Sequence, residues 1–176
     1  MKIILSPAKS LNWEVNYSDK LRLTYPKFLR EAERVNEALS KYSAKKLALL
    51  QNLSINLAEL NYSRNQNWKR DIDDIYGKPA VFAFDGEVYH GLEIEEWGEK
   101  HARNLQSTLR ILSGLYGVLS PFDLIRPYRL EMGTILKVKD SSNLYEYWSE
   151  KVTASLQAEM KEDERLINLA STEYFK

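Results

Sequence analysis

The chain has 176 residues, enough for one domain with a real core and too few for two of ordinary size. Hydrophobic residues make up 44% and charged residues 28% at a net charge of zero, an ordinary globular composition that excludes binding through total charge. With no cysteine and only two histidines, His90 and His101, disulfides, thiolate chemistry and multi-histidine metal centres are excluded.

No apolar run approaches the roughly 18 residues of a membrane span, and the opening MKIILSPAK is too short in apolar residues for a secretory signal. The expectation is a cytoplasmic protein with no membrane contact. Lys2 to Leu5 reads as a short buried strand. Ser6-Pro7-Ala8-Lys9 follows at once, and a small loop with a lysine at a strand end is a usual place for a ligand contact. The plainer reading of Lys9 is a solvent-exposed lysine.

Asn12 to Arg22 is polar and irregular. Pro26 opens a helix with Phe28, Ala32, Val35 and Leu39 on one face. Lys45 to Leu50 is a second short helix, and Ser54 caps a third that carries Leu57, Ala58 and Leu60. The asparagine-rich run from Asn61 to Asn67 reads as a helix end and loop. Ala80 to Phe84 is a continuous apolar run, expected to be a central strand. Asp85-Gly86 then turns the chain, although an acid at a strand end is also a candidate ligand or base.

Leu109 to Thr134, LRILSGLYGVLSPFDLIRPYRLEMGT, is the densest stretch of glycine, proline and arginine. Ala102, Leu105, Leu109 and Leu112 are spaced as one buried helix face. Gly114 is the expected helix stop and Gly117 a second tight bend. Ser120-Pro121-Phe122-Asp123 carries the signature of a new, capped helix, which Pro127 cuts short. Such a corner binds anions: glycines admit a phosphate to the backbone, and Arg126 and Arg129 hold it by paired hydrogen bonds. The plainer alternative is a packed corner whose arginines are solvated or paired with Glu131. The charge distribution is consistent with a charged cleft and equally with two complementary surfaces that touch. Between Lys100 and Lys139 seven bases, Arg110 among them, face two acids, Asp123 and Glu131. The acidic block of Glu93, Glu95, Glu96 and Glu99 just before it reads as a solvated face.

Ile135 to Val138 is a candidate short strand, and Asn143 to Met160 an amphipathic helix with apolar residues at steps of four. Ile167 to Ala170 reads as a last buried strand. Its Asn168 needs hydrogen-bond partners and so is expected at the strand's end or beside a site.

Five blocks together carry a resemblance: SPAKSL at Ser6, FDGEVYHGL at Phe84, the stretch from Leu109 to Thr134, LYEYW at Leu144 and INLASTEYFK at Ile167. They run in order through the whole chain and are similar to the YaaA peroxide-stress family, also grouped as UPF0246. The resemblance implies a mixed α/β (α+β) single domain over residues 1–176. A small mixed sheet would be flanked by helices, with a helix-hairpin-helix element in a positively charged cleft. It also implies a cytosolic bacterial protein that limits peroxide damage by keeping intracellular iron low, with double-stranded DNA as partner. The segment Arg103 to Arg129 matches the helix-hairpin-helix element, with two residues between its glycines where the usual motif has one. Family members continue past EYFK with a lysine- and arginine-rich segment, so the chain is expected to be C-terminally truncated relative to the family.

Two functional readings follow. In the first, a non-enzymatic DNA-binding stress protein holds phosphates through Lys9, Arg110, Gly114, Gly117, Arg126 and Arg129, without reading sequence. In the second, an enzyme acts on a small phosphorylated or nucleotide-like ligand in the same cleft, with Ser6, Asp85, Tyr128 and Asn168 lining the pocket. No Walker loop, G-x-S-x-G or metal-ligand spacing is present, so the first reading is preferred, with no cofactor and no metal.

Overall fold

In the computed structural model, which describes residues 1–72, 75–94 and 98–174, the chain begins with strand β1 (Lys2–Leu5) and the short β2 (Ser10–Leu11). Three helices follow: α1 (Leu29–Leu39), α2 (Ala44–Gln51) and α3 (Ile55–Asn67). The hydroxyls of Ser43 and Ser54 accept from the backbone N–H of Lys46 and Leu57, so α2 and α3 each start on a serine cap. Ala32, Val35 and Leu39 are buried along α1, as the apolar spacing requires. α3 runs farther than expected, through the asparagine-rich run. Asn61 donates its side-chain amide to the Leu57 carbonyl at 2.8 Å, and Asn36 donates to the Asn65 carbonyl at 2.9 Å. The Asn61 amide bonds a carbonyl of its own helix instead of breaking it, and Asn36 of α1 fastens the end of α3 from outside.

The expected central strand at Ala80 to Phe84 is a correction. Those residues form one helical turn, α4 (Ala80–Ala83), between β3 (Lys78–Pro79) and β4 (Phe84–Asp85). Every residue of the run from Ala80 to Phe84 is buried, and a wholly buried run has no periodicity to distinguish strand from helix. The backbone N–H groups of Ala80 and Val81 donate to the carbonyls of Asp123 and Pro121, so this turn is held by a distant loop. Lys78 is buried and donates its ammonium to the carbonyls of Trp13 and Val15, fastening the polar N-terminal stretch to the core. Desolvation lowers its pKa.

A second helical turn, α5 (Glu87–His90), precedes α6 (Glu99–Thr108). Here the helix-hairpin-helix expectation is overturned. The helix stops at Thr108, and Leu109–Ser113 is strand β5, paired antiparallel with β6 (Gly117–Leu119). All five residues of β5 are buried. Leu109 and Leu112 fit a helical spacing by coincidence, because a strand enclosed on both faces is apolar at every position. Ser120 opens no helix either. Its backbone N–H donates to the Asp123 carboxylate at 2.7 Å, and Asp123 N–H returns to the Ser120 carbonyl at 3.1 Å. This closed turn leads into β7 (Leu124–Ile125), which pairs with β3. The Asp123 carboxylate also accepts from the Thr24 hydroxyl at 2.6 Å while 4% exposed. Asp123→Ala leaves both buried donors without an acceptor and is expected to cost about 3 kcal/mol. Ser120→Ala keeps the backbone bond and should cost under about 0.5 kcal/mol. Thermal melts of the two variants check the turn, and the reverse order would restore a serine-capped helix.

The chain closes with α7 (Leu144–Ala158), capped by the Asn143 side chain, and β8 (Leu166–Asn168). Between them and β7, Ile135 to Val138 forms no strand and contributes only an isolated bridge from Val138 to Ser141. The main sheet has the order β6-β5-β1-β8, with β5, β1 and β8 parallel. β8 lies at its edge and is exposed throughout, a correction to the buried strand expected there. Around the sheet and helices a single large apolar cluster includes Trp148, Tyr116, Ile111 and Leu119. The fold is thus the mixed α/β arrangement expected, without the helix-hairpin-helix element. Among the described residues no helix is long and apolar enough to cross a membrane.

Candidate functional site

The strand order fixes where a ligand site belongs. From β1 the sheet is extended on one side by β5 and β6, and the chain then returns to the other side of β1 with β8. In open α/β sheets ligands bind at such a reversal, outside the C-terminal ends of the strands. Here that crevice lies between the loop after β1, Ser6 to Lys9, and the loop after β8, which includes Ser171, Glu173 and Tyr174. These two loops and Tyr128 to Glu131 enclose a cavity of about 100 Å³. Glu131 and Glu173 also line a broader, more open basin of about 480 Å³, bordered by Gln51, Thr134 and Tyr145.

The two loops are tied together. Ser171 N–H donates to the Ser6 hydroxyl at 2.9 Å, the Ser6 hydroxyl donates to that of Ser171 at 3.2 Å, and the Tyr89 hydroxyl donates to the Ser6 carbonyl at 2.7 Å. Glu173 accepts from Gly133 N–H at 3.1 Å, which fixes the far wall. Beneath, Tyr128 shares a hydrogen bond with Ser113 of β5 at 2.7 Å, and burial pushes its phenol well up. Asn168, expected near a site, ends β8 and accepts from Ala170 N–H at 3.0 Å, shaping the turn into Ser171.

Charge gathers on one wall. The Glu131 carboxylate lies between two cations, Lys9 at 3.0 Å and Arg129 at 3.1 Å. Lys9 is 62% exposed, so its ion pair is worth at most about 1 kcal/mol and exchanges readily. Arg129 is mostly buried, and its Nε–H has no acceptor among the described residues. Arg64 of α3, held by the Asn61 side chain at 3.3 Å, is outside the cavity lining but near enough for its charge and that of Arg129 to interact. Burial first, and then the Arg129 charge, lower the Arg64 pKa. Within the lining the cations Lys9 and Arg129 stand against two carboxylates, Glu131 and Glu173, and the Arg129 Nε–H is the donor left for an anion.

The other sequence candidates lie elsewhere. Arg110 is buried and forks onto Glu159 at 2.5 and 2.7 Å, so its charge is spent within the fold. Gly114 and Gly117 are enclosed in the β5–β6 hairpin, where Gly117 has φ +73° and lies against Trp148, and Gly114 lies against the Leu130 backbone. Arg126 donates to the Asp71 carbonyl at 2.7 Å and sits over the Tyr76 ring, outside the crevice wall. Asp85 bonds His90 at 2.7 Å in a separate depression with Tyr89. Among the described residues no group of three His, Asp or Glu is placed to hold a metal ion, and Glu95 and Glu96 of the acidic block lie outside those residues. Arg64, Ser171 and Glu173 were missed in the sequence. Arg64 lies in the asparagine-rich run expected to be a helix end and loop, and Ser171 and Glu173 lie in the INLASTEYFK block, which carries the resemblance but no binding signature of its own.

Comparison with known proteins agrees with the five blocks. The model for the peroxide stress protein YaaA matches residues 1–176. A UPF0246 protein of Flavobacterium johnsoniae is 47% identical over 175 residues, covering 99% of this chain and 69% of the relative. Counterparts from Flavobacterium psychrophilum and Polynucleobacter necessarius are 44% and 43% identical, again over 69% of their length and 99% and 100% of this chain. With a family model spanning every residue and relatives above two-fifths identity, the chain belongs to the YaaA peroxide-stress protein family.

Proposed function

We propose that this peroxide-stress family member binds double-stranded DNA without sequence preference, through phosphates held by Lys9 and Arg129. It does so in the cytoplasm as a binding protein rather than an enzyme, and it helps keep intracellular iron low. The iron and DNA roles draw on the family resemblance. The carrying observation for phosphate is local: Arg129 retains a buried N–H without an acceptor among the described residues, while one carboxylate serves both Lys9 and Arg129. The hairpin glycines, being enclosed, leave phosphate contact to side chains. Such contacts position a duplex and carry no base information.

The test is fluorescence anisotropy of a hydroxyl-ended duplex across a salt series. Binding should weaken with a log–log slope of about −0.9 per phosphate neutralised. Lys9→Ala combined with Arg129→Ala should flatten the slope by up to about two and weaken all sequences alike. Circular dichroism confirms that the variant is folded. A folded double variant with an unchanged slope rejects this pair as the duplex contact.

A further inference from the structure

From the shape of the crevice we infer that it is a socket for a terminal phosphoryl group, a phosphomonoester borne by a free nucleotide or by the end of an oligonucleotide. The inference rests on the phosphate reading above and narrows its ligand. Three observations support it.

The first is size. The enclosed cavity is about 100 Å³, well below the roughly 300–1,000 Å³ of pockets that engulf a drug-sized ligand. An internal phosphodiester continues as chain in two directions, so it can lie across the rim at the exposed Lys9 beside Arg129 but cannot fill a socket closed by two tethered loops. A monoester has one continuation, and the basin of about 480 Å³ that shares Glu131 and Glu173 gives its sugar and base a way out.

The second is that an anion already occupies the place. Glu131 sits between Lys9 and Arg129 as an internal carboxylate. A phosphoryl dianion offers three acceptor oxygens where the carboxylate offers two. It can take both cations and also the Arg129 Nε–H that Glu131 leaves without an acceptor. Glu131 is therefore a competitor for the same donors, displaced when the ligand binds.

The third is like charge beside Arg129, in a lining that itself sets Lys9 and Arg129 against Glu131 and Glu173. Arg64 and Arg129 approach closely enough for their charges to interact, and Arg64 is held by the neutral amide of Asn61. An anion beside Arg129 relieves that repulsion. The Ser171 hydroxyl, which accepts from Ser6 and keeps its own proton, adds a group able to donate to a phosphoryl oxygen.

The experiment compares a short single-stranded oligonucleotide bearing a 5′-phosphate with its 5′-hydroxyl twin, alongside AMP and inorganic phosphate as competitors. The phosphorylated form should bind at least tenfold more tightly, and inorganic phosphate should abolish that advantage. Lys9→Gln, at an exposed position, should remove most of the preference. Glu131→Gln should strengthen it severalfold by removing the competing carboxylate. AMP that binds as tightly as the phosphorylated oligonucleotide identifies a free nucleotide as the ligand. A clear advantage of the oligonucleotide over AMP identifies a nucleic-acid end. Equal affinity for the phosphate and hydroxyl forms overturns the inference, as does a preference that survives in folded Lys9→Gln or declines in folded Glu131→Gln. The duplex reading fails separately: a hydroxyl-ended duplex would then not bind at low salt while AMP or inorganic phosphate still did.

Discussion

Gly114→Ala is expected to lower stability by about 3 kcal/mol, near the upper end of what overpacking a filled core costs. The added Cβ would lie 2.4 Å from the Leu130 carbonyl oxygen and 3.1 Å from its carbonyl carbon. Both are backbone atoms, so no rotamer change relieves the contact. The carbonyl of Gly114 also accepts from the Trp148 indole N–H at 2.9 Å, so displacement of the turn breaks a buried hydrogen bond as well. For a chain of this length the midpoint of melting should fall by about 6–12 °C. Leu130 lies between Arg129 and Glu131, so the same clash should weaken phosphate binding. Had the glycine served only to admit a phosphate, the variant would melt normally and bind poorly. A melting temperature within a degree of the parent would contradict the packing role.

Alkaline pH should unfold the protein cooperatively near pH 12. Burial pushes the Tyr116 phenol up to about 12 and raises Tyr89, Tyr128 and Tyr174 as well. Below pH 10 these phenols are protonated in folded and unfolded chains alike, and their burial carries no pH penalty. Above it the unfolded chain releases protons that the folded one retains, so stability falls as pH rises. Each such phenol removes about 1.4 kcal/mol per pH unit, and four together about 5 kcal/mol per unit. A net stability of about 5–15 kcal/mol is consumed within one to three units. Far-ultraviolet circular dichroism and phenolate absorbance should therefore include a common sharp step as these four ionise. Ionisation of the four well before any loss of helix signal would show that they are reached by solvent in the native fold.

The aromatic core explains why the central segment was misread. Tyr116 follows the hairpin glycine, accepts from the Trp68 indole at 3.0 Å and from Arg126 N–H at 3.0 Å, and packs edge-on against Tyr128. None of those partners is within one helical turn of it in the sequence. The glycines, proline and arginines around it resembled an anion-binding corner, because helix stops and packed hairpins use the same residues. Their burial against Trp148 and Leu130 decides between the two, and burial of that kind is set by elements far along the chain.

Local signals with a single physical reading were legible. The serine cap of α3, the amphipathic face of α1 and the first strand all follow from neighbours within four residues. Family membership was legible too, on five ordered blocks spanning the chain. The sequence by itself also determined that Lys9 lies in a loop directly after a strand. Only the tertiary structure decided that β8 returns beside β1 to close that loop into a crevice, that Arg64 comes from a helix more than fifty residues away, and that Glu131 is held between Lys9 and Arg129. The physical reason is that strand order and charge proximity are properties of long-range pairing. A residue's type and spacing constrain the backbone a few positions away, whereas a binding site is made by parts of the chain that meet only once the core has packed.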